Sequence, residues 1–520
     1  MDDVEQVGEV AEPEVGDGRE PSPPDRARPP LTTLRRAGLF VLAFGSGFAV
    51  LTIEIAGARL IAPVFGLSAV PWTAVIGVIL AALAVGSHVG GRLADAGRVP
   101  LATILVAAGL TGVLPVLGAG VPWLARGALG FIPGAVVTSI VLFAPPVLCL
   151  GAVVPYLVQA DTESLGTVGR RARDVSAAAT AGSIAGTFAT GFVLLPLMPL
   201  PVLSAVTAGA LFLMALLSGR VLGGPPPPAQ VALAVGALGL LGALASGLPP
   251  DTVHAEQTRY SSVAVTERAW ADGRLVREMW QNGGSSSAEF VDTGEPAHVY
   301  ATASLEFLAP VTARASSVLV LGGAALTLPV ALARARPDLR VDVVELDPVV
   351  TRLAAEHFAF GEAPGDGITV HHEDARLFLR RATERYDLVY LDVFDHLLTV
   401  PWTMVTVEAL SDMAARLGED GVFAANVLSP LGGPGTEFLG RLRATLEAVS
   451  PVVPLHPTAP DADPSATQNL IVIAGHDPGA LPAVQAPESP VPASGRPLTD
   501  AWAPVEYLQA KVFVQGLVWN

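Results

Sequence analysis

The stretch VLVLGGAALTLPVALARARPDLRVDVVELDP, Val318–Pro348, decides the fold, and ITVHHED (Ile368–Asp374) and YDLVYLDVFDH (Tyr386–His396) complete it. Val318–Leu321 is a continuous apolar run, short enough for a strand buried on both faces. Gly322 and Gly323 follow at once, where a chain leaving a strand turns tightly and lets backbone approach a ligand. Leu326–Arg336 reads as a helix stopped by Pro337 and Asp338. A second strand, Val341–Glu345, ends on a carboxylate 22 residues past Gly323, with Asp347 just beyond. That spacing offers an acid to a ribose hydroxyl in a doubly wound α/β sheet. A third strand, Ile368–His372, delivers Glu373 and Asp374, and a fourth, Leu388–Leu391, delivers Asp392 and Asp395. One Asp ending a strand is commonly a helix cap. Four polar strand ends in register point instead to a nucleoside site at the carboxyl edge of the sheet. Ala324, Ala325 and Leu326 break the dinucleotide glycine spacing, which disfavours NAD and FAD.

Composition places this sheet behind a membrane bundle. Half of the 520 residues are hydrophobic, only 15% are charged, and the apolar excess lies in the first half. The formal charge of −17 argues against a nucleic-acid partner, whose phosphates call for a basic face. The single cysteine, Cys149, excludes disulfides and cysteine metal sites within one chain. No metal site is expected, and His371 and His372, adjacent on a strand, point to opposite faces and cannot chelate one ion.

Residues 1–36 are acidic and then rich in Pro and Arg, and read as a disordered tail without a cleavable signal peptide. Apolar segments follow at 38–62, 71–91, 99–121, 132–158, 175–197, 200–219 and 229–248, each near the ~20 residues that cross hydrocarbon. Seven spans are thus expected over residues 37–250, in a multi-pass protein of the cell membrane in contact with lipid. Arg35 and Arg36, Arg92 and Arg98, and Arg170, Arg171 and Arg173 mark loops expected on the cytoplasmic side. Seven full spans from an inside start would leave the remainder outside the cell, away from cytosolic nucleosides. A seventh segment that does not cross, or a missed span, would reverse this.

Glu54, with Arg59 five residues later, is an ionisable group in a span, read either as a functional group or as an ion pair or hydrogen bond between helices. Gly182 and Gly186, flanked by Ala178 and Thr190, form a ladder of small residues suited to close helix packing. After Pro249 and Pro250 the composition turns soluble. Tyr260–Glu267 and Arg274–Trp280 read as strands joined by a turn at Asp272–Gly273, with Gly283–Ser287 a loop. Gly421–Val427 extends the main sheet, and Pro451–Pro454 and Leu470–Ala474 are read as its end.

These residues carry a family likeness. GARLIAPVFG, VIGVILAALAVGSHVGGRLAD and AGSIAGTFATGFVLLPL in the bundle resemble the membrane-fused branch of the spermidine synthase (polyamine aminopropyltransferase) family. LGGAALTLP, VELDP, EDARLFL, YDLVYLDVFD and TDAWAPVEYL carry the likeness through the rest. The resemblance implies a small β-domain (251–310) before a Rossmann-like, methyltransferase-type domain (311–520), and a homodimer. It implies decarboxylated S-adenosylmethionine, or S-adenosylmethionine, as co-substrate, with no tightly bound cofactor, and a small-molecule amine as acceptor. Gly322, Gly323, Glu345, Asp347, Asp374 and Ala375 would hold the nucleoside, with Glu345 on the ribose hydroxyls and Asp374–Ala375 beside the adenine. Asp392 matches the catalytic aspartate, and Asp395 and Tyr300 would face the acceptor. The chemistry suits a carboxylate there, because an amine must be neutral to attack the methylene next to a sulfonium. Three places depart from the family, one of them its Tyr-His-Glu stretch, reduced here to Tyr300. Ala325 stands where a loop aspartate grips the aminopropyl ammonium, and Ser286 where a glutamine follows the first hairpin. A methyltransferase on the same sheet, and a transporter or sensor that binds a polyamine or nucleoside without catalysis, are the competing readings.

Overall fold

The structure is a computed structural model describing residues 32–66, 69–97, 99–118, 120–162, 168–222, 251–270, 272–362, 367–394, 399–450, 455–475 and 491–510. Its N-terminal part is helical: α1 (Thr33–Phe65), α2 (Ala69–Ala96), α3 (Leu101–Thr111), α4 (Leu114–Leu117), α5 (Val121–Leu129) and α6 (Phe131–Leu142) come first. Next are α7 (Ala144–Gly151), α8 (Val153–Asp161), α9 (Val168–Ala189), a π-helical turn (Thr190–Leu194), α10 (Leu195–Leu197) and α11 (Leu200–Leu222).

Among the described residues five helices are long and apolar enough to cross a membrane: Thr33–Ala62, Ala69–Ala96, Ala144–Asp161, Val168–Leu197 and Leu200–Leu222. Leu101–Leu117 and Val121–Leu129, bent by 68°, make a sixth if taken together. The expected spans at 99–121 and 132–158 therefore need correction. Pro122, beside Gly118 and Gly120, bends the first toward Leu129, and Pro145 and Pro146 divide the second after Leu142. Proline lacks the N–H that would continue the helical ladder. The expected seventh span, 229–248, lies outside the described residues.

Close backbone contact joins α1 to α9. A Cβ on Gly182 would overlap the carbonyl oxygen of Phe44, and one on Gly47 that of Ala179. Thr52 and Thr190 hydroxyls pair across the same seam at 3.0 Å, at the π-helical turn. Glu54 does not form the anticipated ion pair. It has no side-chain partner among the described residues, and Arg59 donates instead to Arg259 O at 3.0 Å.

The ends of the helices are identified by contacts. At one end the buried Asp161 of α8 meets Arg36 of α1 at 3.3 Å and Arg171 of α9 at 3.6 Å. Tyr156 of α8 donates there to Val99 O at 2.8 Å, and Gly38 of α1 abuts Val221 of α11. At the other end Arg126 of α5 donates to Val64 O of α1, and α10 lies beside the first strand of the C-terminal part.

That part opens with a four-stranded antiparallel sheet, β1 (Thr252–Gln257), β2 (Ser262–Ala269), β3 (Leu275–Gln281) and β4 (Gly284–Phe290). The β4 strand corrects the loop expected at Gly283–Ser287. Asn282 and Gly283, both with positive φ (49° and 79°), form a two-residue hairpin turn that pairs Gln281 with Gly284. Serines on β4 obscured a strand that the Asn-Gly pair announces.

Helix α12 (Val299–Thr312) leads into β5 (Ser317–Leu321), α13 (Thr327–Ala335), β6 (Arg340–Glu345), α14 (Pro348–His357), β7 (Ile368–His372), α15 (Ala375–Arg381) and β8 (Tyr386–Leu391). After these come α16 (Val407–Ala414), β9 (Leu417–Ser429), α17 (Glu437–Glu447), β10 (Leu455–Pro457), β11 (Gln468–Gly475) and α18 (Val505–Ala510). The mixed seven-stranded sheet has the order β10-β11-β9-β8-β5-β6-β7, with β9, β8, β5, β6 and β7 parallel and β11 antiparallel to β9. Apolar cores cover both faces: Leu319, Leu321 and Val389 point into one, Val318, Val320 and Leu388 into the other. This explains the uninterrupted apolar runs in these strands. Val263, Val265 and Met279 of the small sheet join the second core, which fastens that sheet over the first glycine turn.

Candidate active site

Chain order reverses at β5, which has β6 on one side and β8 on the other, and open α/β sheets bind ligands at such a switch point. Gly322 leaves β5 with φ +92°, and a Cβ there would overlap the carbonyl oxygen of Asp392 at the end of β8. Ala324 (φ 42°) and Leu326 (φ 59°) also sit in the left-handed region, at a cost of about 1–3 kcal/mol each.

Two carboxylate and hydroxyl anchors hold the strained loop. Gly323 N and Ala324 N both donate to Glu345 Oε2 at 3.1 Å, and Asp347 N donates to Oε1 at 3.0 Å. Ala325 N donates to Ser287 Oγ of the small sheet at 3.2 Å. Burial pushes the Glu345 carboxyl up from its usual value, and the three backbone N–H groups oppose that rise.

A cavity of about 490 Å³ opens over these strand ends. Gly322, Gly323, Glu345, Asp347, Asp374, Ala375, Asp392 and Tyr300 all line it, so eight positions singled out in the sequence converge. Asp395 lies outside the described residues. Asp347 and Asp374 also act as caps: Asp347 accepts from Val349 N at 3.0 Å and Asp374 from Leu377 N at 3.0 Å. The second oxygen of Asp347 is buried with no hydrogen-bond partner among the described residues. Ala325 is fully buried and does not line the cavity, while Ser286 does. His371 turns to Asp342 (3.2 Å) and His372 to Thr351 (3.1 Å).

Asp392 stands at the end of β8. Burial pushes its carboxyl up to about 6, against hydrogen bonds from Asn426 and Tyr300. Asn426 Nδ2 donates at 2.9 Å, and Asn426 Oδ1 in turn accepts from Asn469 Nδ2 at 2.9 Å. Tyr300 is pushed well above the usual phenol value by burial and by the neighbouring Asp392. The sequence reading missed Asn426 and Asn469, although a polar residue inside the apolar strand Gly421–Val427 was a usable signal. It also missed His298, whose Nε2 meets Ser285 Oγ at 3.0 Å. Burial lowers His298 to about 4, so it is neutral at pH 7.

Charge in the cavity is one-sided. Glu345, Asp347, Glu373, Asp374 and Asp392 line it, and none of its described lining residues is Lys or Arg. Such a wall attracts cations and rejects anions.

A polyamine aminopropyltransferase of Vibrio vulnificus is 35% identical over 115 residues, 22% of this chain and 38% of that protein. A probable polyamine aminopropyl transferase of Bifidobacterium longum is 30% identical over 145 residues, 28% of this chain and 31% of its own. The matches point to the spermidine synthase (polyamine aminopropyltransferase) family. The N-terminal apolar helices fit a membrane-fused branch of the spermidine synthase family. The chain spans 38% and 31% of the lengths of these two relatives. A solved structure of a probable spermidine synthase from Corynebacterium glutamicum covers 52% of this chain and 95% of its own, with 18% identity and a TM-score of 0.38. No family model matches the chain.

Proposed function

We propose that this protein is a membrane-anchored aminopropyltransferase that moves the aminopropyl group of decarboxylated S-adenosylmethionine to an amine acceptor. The observation that carries this reading is the acidic cavity around Asp392 with no Lys or Arg among its described lining. The donor is a sulfonium with an ammonium tail, and the acceptor is an amine, so both suit that wall. S-adenosylmethionine itself brings a carboxylate that would find no cationic side chain there. In this reading residues 37–250 anchor the chain, 251–310 and 311–520 form the transferase, and Glu345 and Asp374 grip the nucleoside.

In the reaction the lone pair of a neutral acceptor nitrogen forms a bond to the methylene carbon beside sulfur. The carbon–sulfur bond breaks, its electron pair neutralises the sulfonium, and methylthioadenosine leaves. The proton lost by nitrogen passes to Asp392, directly or through water, which a carboxyl near 6 can accept. Positioning and the negative field supply the remaining rate enhancement.

Methyl transfer is the second reading, favoured by Ala325, which offers no carboxylate to an aminopropyl ammonium. Calorimetric titration of the full chain in detergent, with Glu345→Ala as control, separates the two. Tighter binding of decarboxylated S-adenosylmethionine than of S-adenosylmethionine supports aminopropyl transfer, and the reverse order supports methyl transfer. A folded chain that binds neither, nor methylthioadenosine, overturns both.

A further inference from the structure

The two ends of the helical bundle differ in arginine. Arg35 and Arg36 open α1, Arg92 lies near the end of α2, Arg170, Arg171 and Arg173 lie in the first turns of α9, and Arg220 lies in the last turn of α11. The Arg36–Asp161–Arg171 cluster joins these helix ends into one face. At the opposite end the bundle carries Arg59 and Arg126, and each donates to a main-chain carbonyl, Arg259 O and Val64 O. Arginine flanking membrane spans accumulates on the cytoplasmic side.

The C-terminal part is seated on the arginine-poor end. Arg59 reaches Arg259 in the turn between β1 and β2, and β1 lies beside α10. Leu222, by contrast, closes α11 at the arginine-rich end, where its neighbour Val221 abuts Gly38. Leu222 and the start of β1 therefore stand at opposite ends of the bundle. The interval holds 28 residues, of which 229–248 are apolar, and ~20 residues suffice to cross ~30 Å of hydrocarbon.

We propose that the cavity and the sheets around it stand on the extracytoplasmic side of the membrane, seated on the arginine-poor end of the bundle. The proposal rests on the membrane-anchored reading above and is independent of the chemistry. The turn that Arg59 holds also supplies Tyr260 and Ser261 to the cavity wall, so one wall of the site lies against the bundle. Substrates made in the cytosol would reach this site only after a membrane-crossing step, which places a transport reaction before the transfer.

Protease added to intact spheroplasts tests this with the unaltered chain. The expected result is a membrane-retained fragment of the bundle, with the C-terminal part cleaved before lysis. Cysteine labelling gives a second readout in a Cys149→Ser background. A membrane-impermeant maleimide should label Glu306→Cys, an exposed position of α12, in intact cells. It should label Asp174→Cys, at the arginine-rich end, only after permeabilisation. Labelling of Glu306→Cys only after permeabilisation, or of both variants from the same side, overturns the proposal. Release of the chain from membranes by alkaline wash overturns the anchored reading itself, whatever ligand it binds.

Discussion

Asn426 Nδ2 donates to Asp392 Oδ1 at 2.9 Å while Asn426 Oδ1 accepts from Asn469 Nδ2 at 2.9 Å. The second bond fixes the direction of the first, because a turned amide would set its oxygen against the carboxylate. Asp392 is therefore held in one orientation by a donor that cannot exchange roles.

Asp392→Asn should separate stability from activity. The folded carboxyl titrates near 6, above its usual 3.8, so the buried acid favours folding below 3.8 and loses that contribution as pH rises through about 6. The loss is on the order of 3 kcal/mol when complete. The amide variant should melt higher than the parent at pH 8 and similarly at pH 4, while transfer falls at least ~100-fold. Melting curves at both pH values and a product assay check it.

Tyr300→Phe removes the phenol beside Asp392, which favours the ionised carboxylate and donates to Ser286 O at 3.4 Å. The acid limb of kcat/KM against pH should shift upward by up to about one unit. An unshifted limb would mean that Asp392 is not the titrating base.

Glu345→Ala removes the acceptor that holds Gly323 N and Ala324 N. The loop then has less to offset the strain at Ala324 and Leu326, and methylthioadenosine should bind at least ~10-fold more weakly by calorimetry.

Gly182→Ala places a methyl group against the Phe44 carbonyl and should destabilise the bundle by about 1–3 kcal/mol. Gly77→Ala, where a Cβ meets nothing, is the matched control, and thermal unfolding in detergent compares the two.

Arg59→Ala should loosen the turn at 258–261 without touching the nucleoside end of the cavity. Faster hydrogen exchange in that turn, a raised KM for the amine and unchanged methylthioadenosine binding are the expected outcome.

The sheet was legible because its strands are buried on both faces and end on Gly322, Glu345, Asp374 and Asp392, so apolar runs and polar stops coincide. The glycine ladder at Gly182 was legible for a similar reason, since small residues at helical spacing serve close packing. Other features depend on partners distant in sequence. Asn426 and Asn469 matter only because β9 and β11 are neighbours, and His298 only because burial neutralises it. β4 was lost because its serines hid the alternation, and the broken spans because apolar runs were weighed above Pro122, Pro145 and Pro146.

The hold of Glu345 on the glycine turn bears on what the cavity refuses. In many nucleotide-binding folds, main-chain N–H groups in this position receive a phosphate. Here the protein has filled part of that anion seat with its own side chain, so a phosphate arriving there would find the N–H groups of Gly323 and Ala324 already engaged by Glu345. A nucleotide would gain no contact from those two N–H groups for its phosphate, whereas a nucleoside without phosphate gives up nothing there.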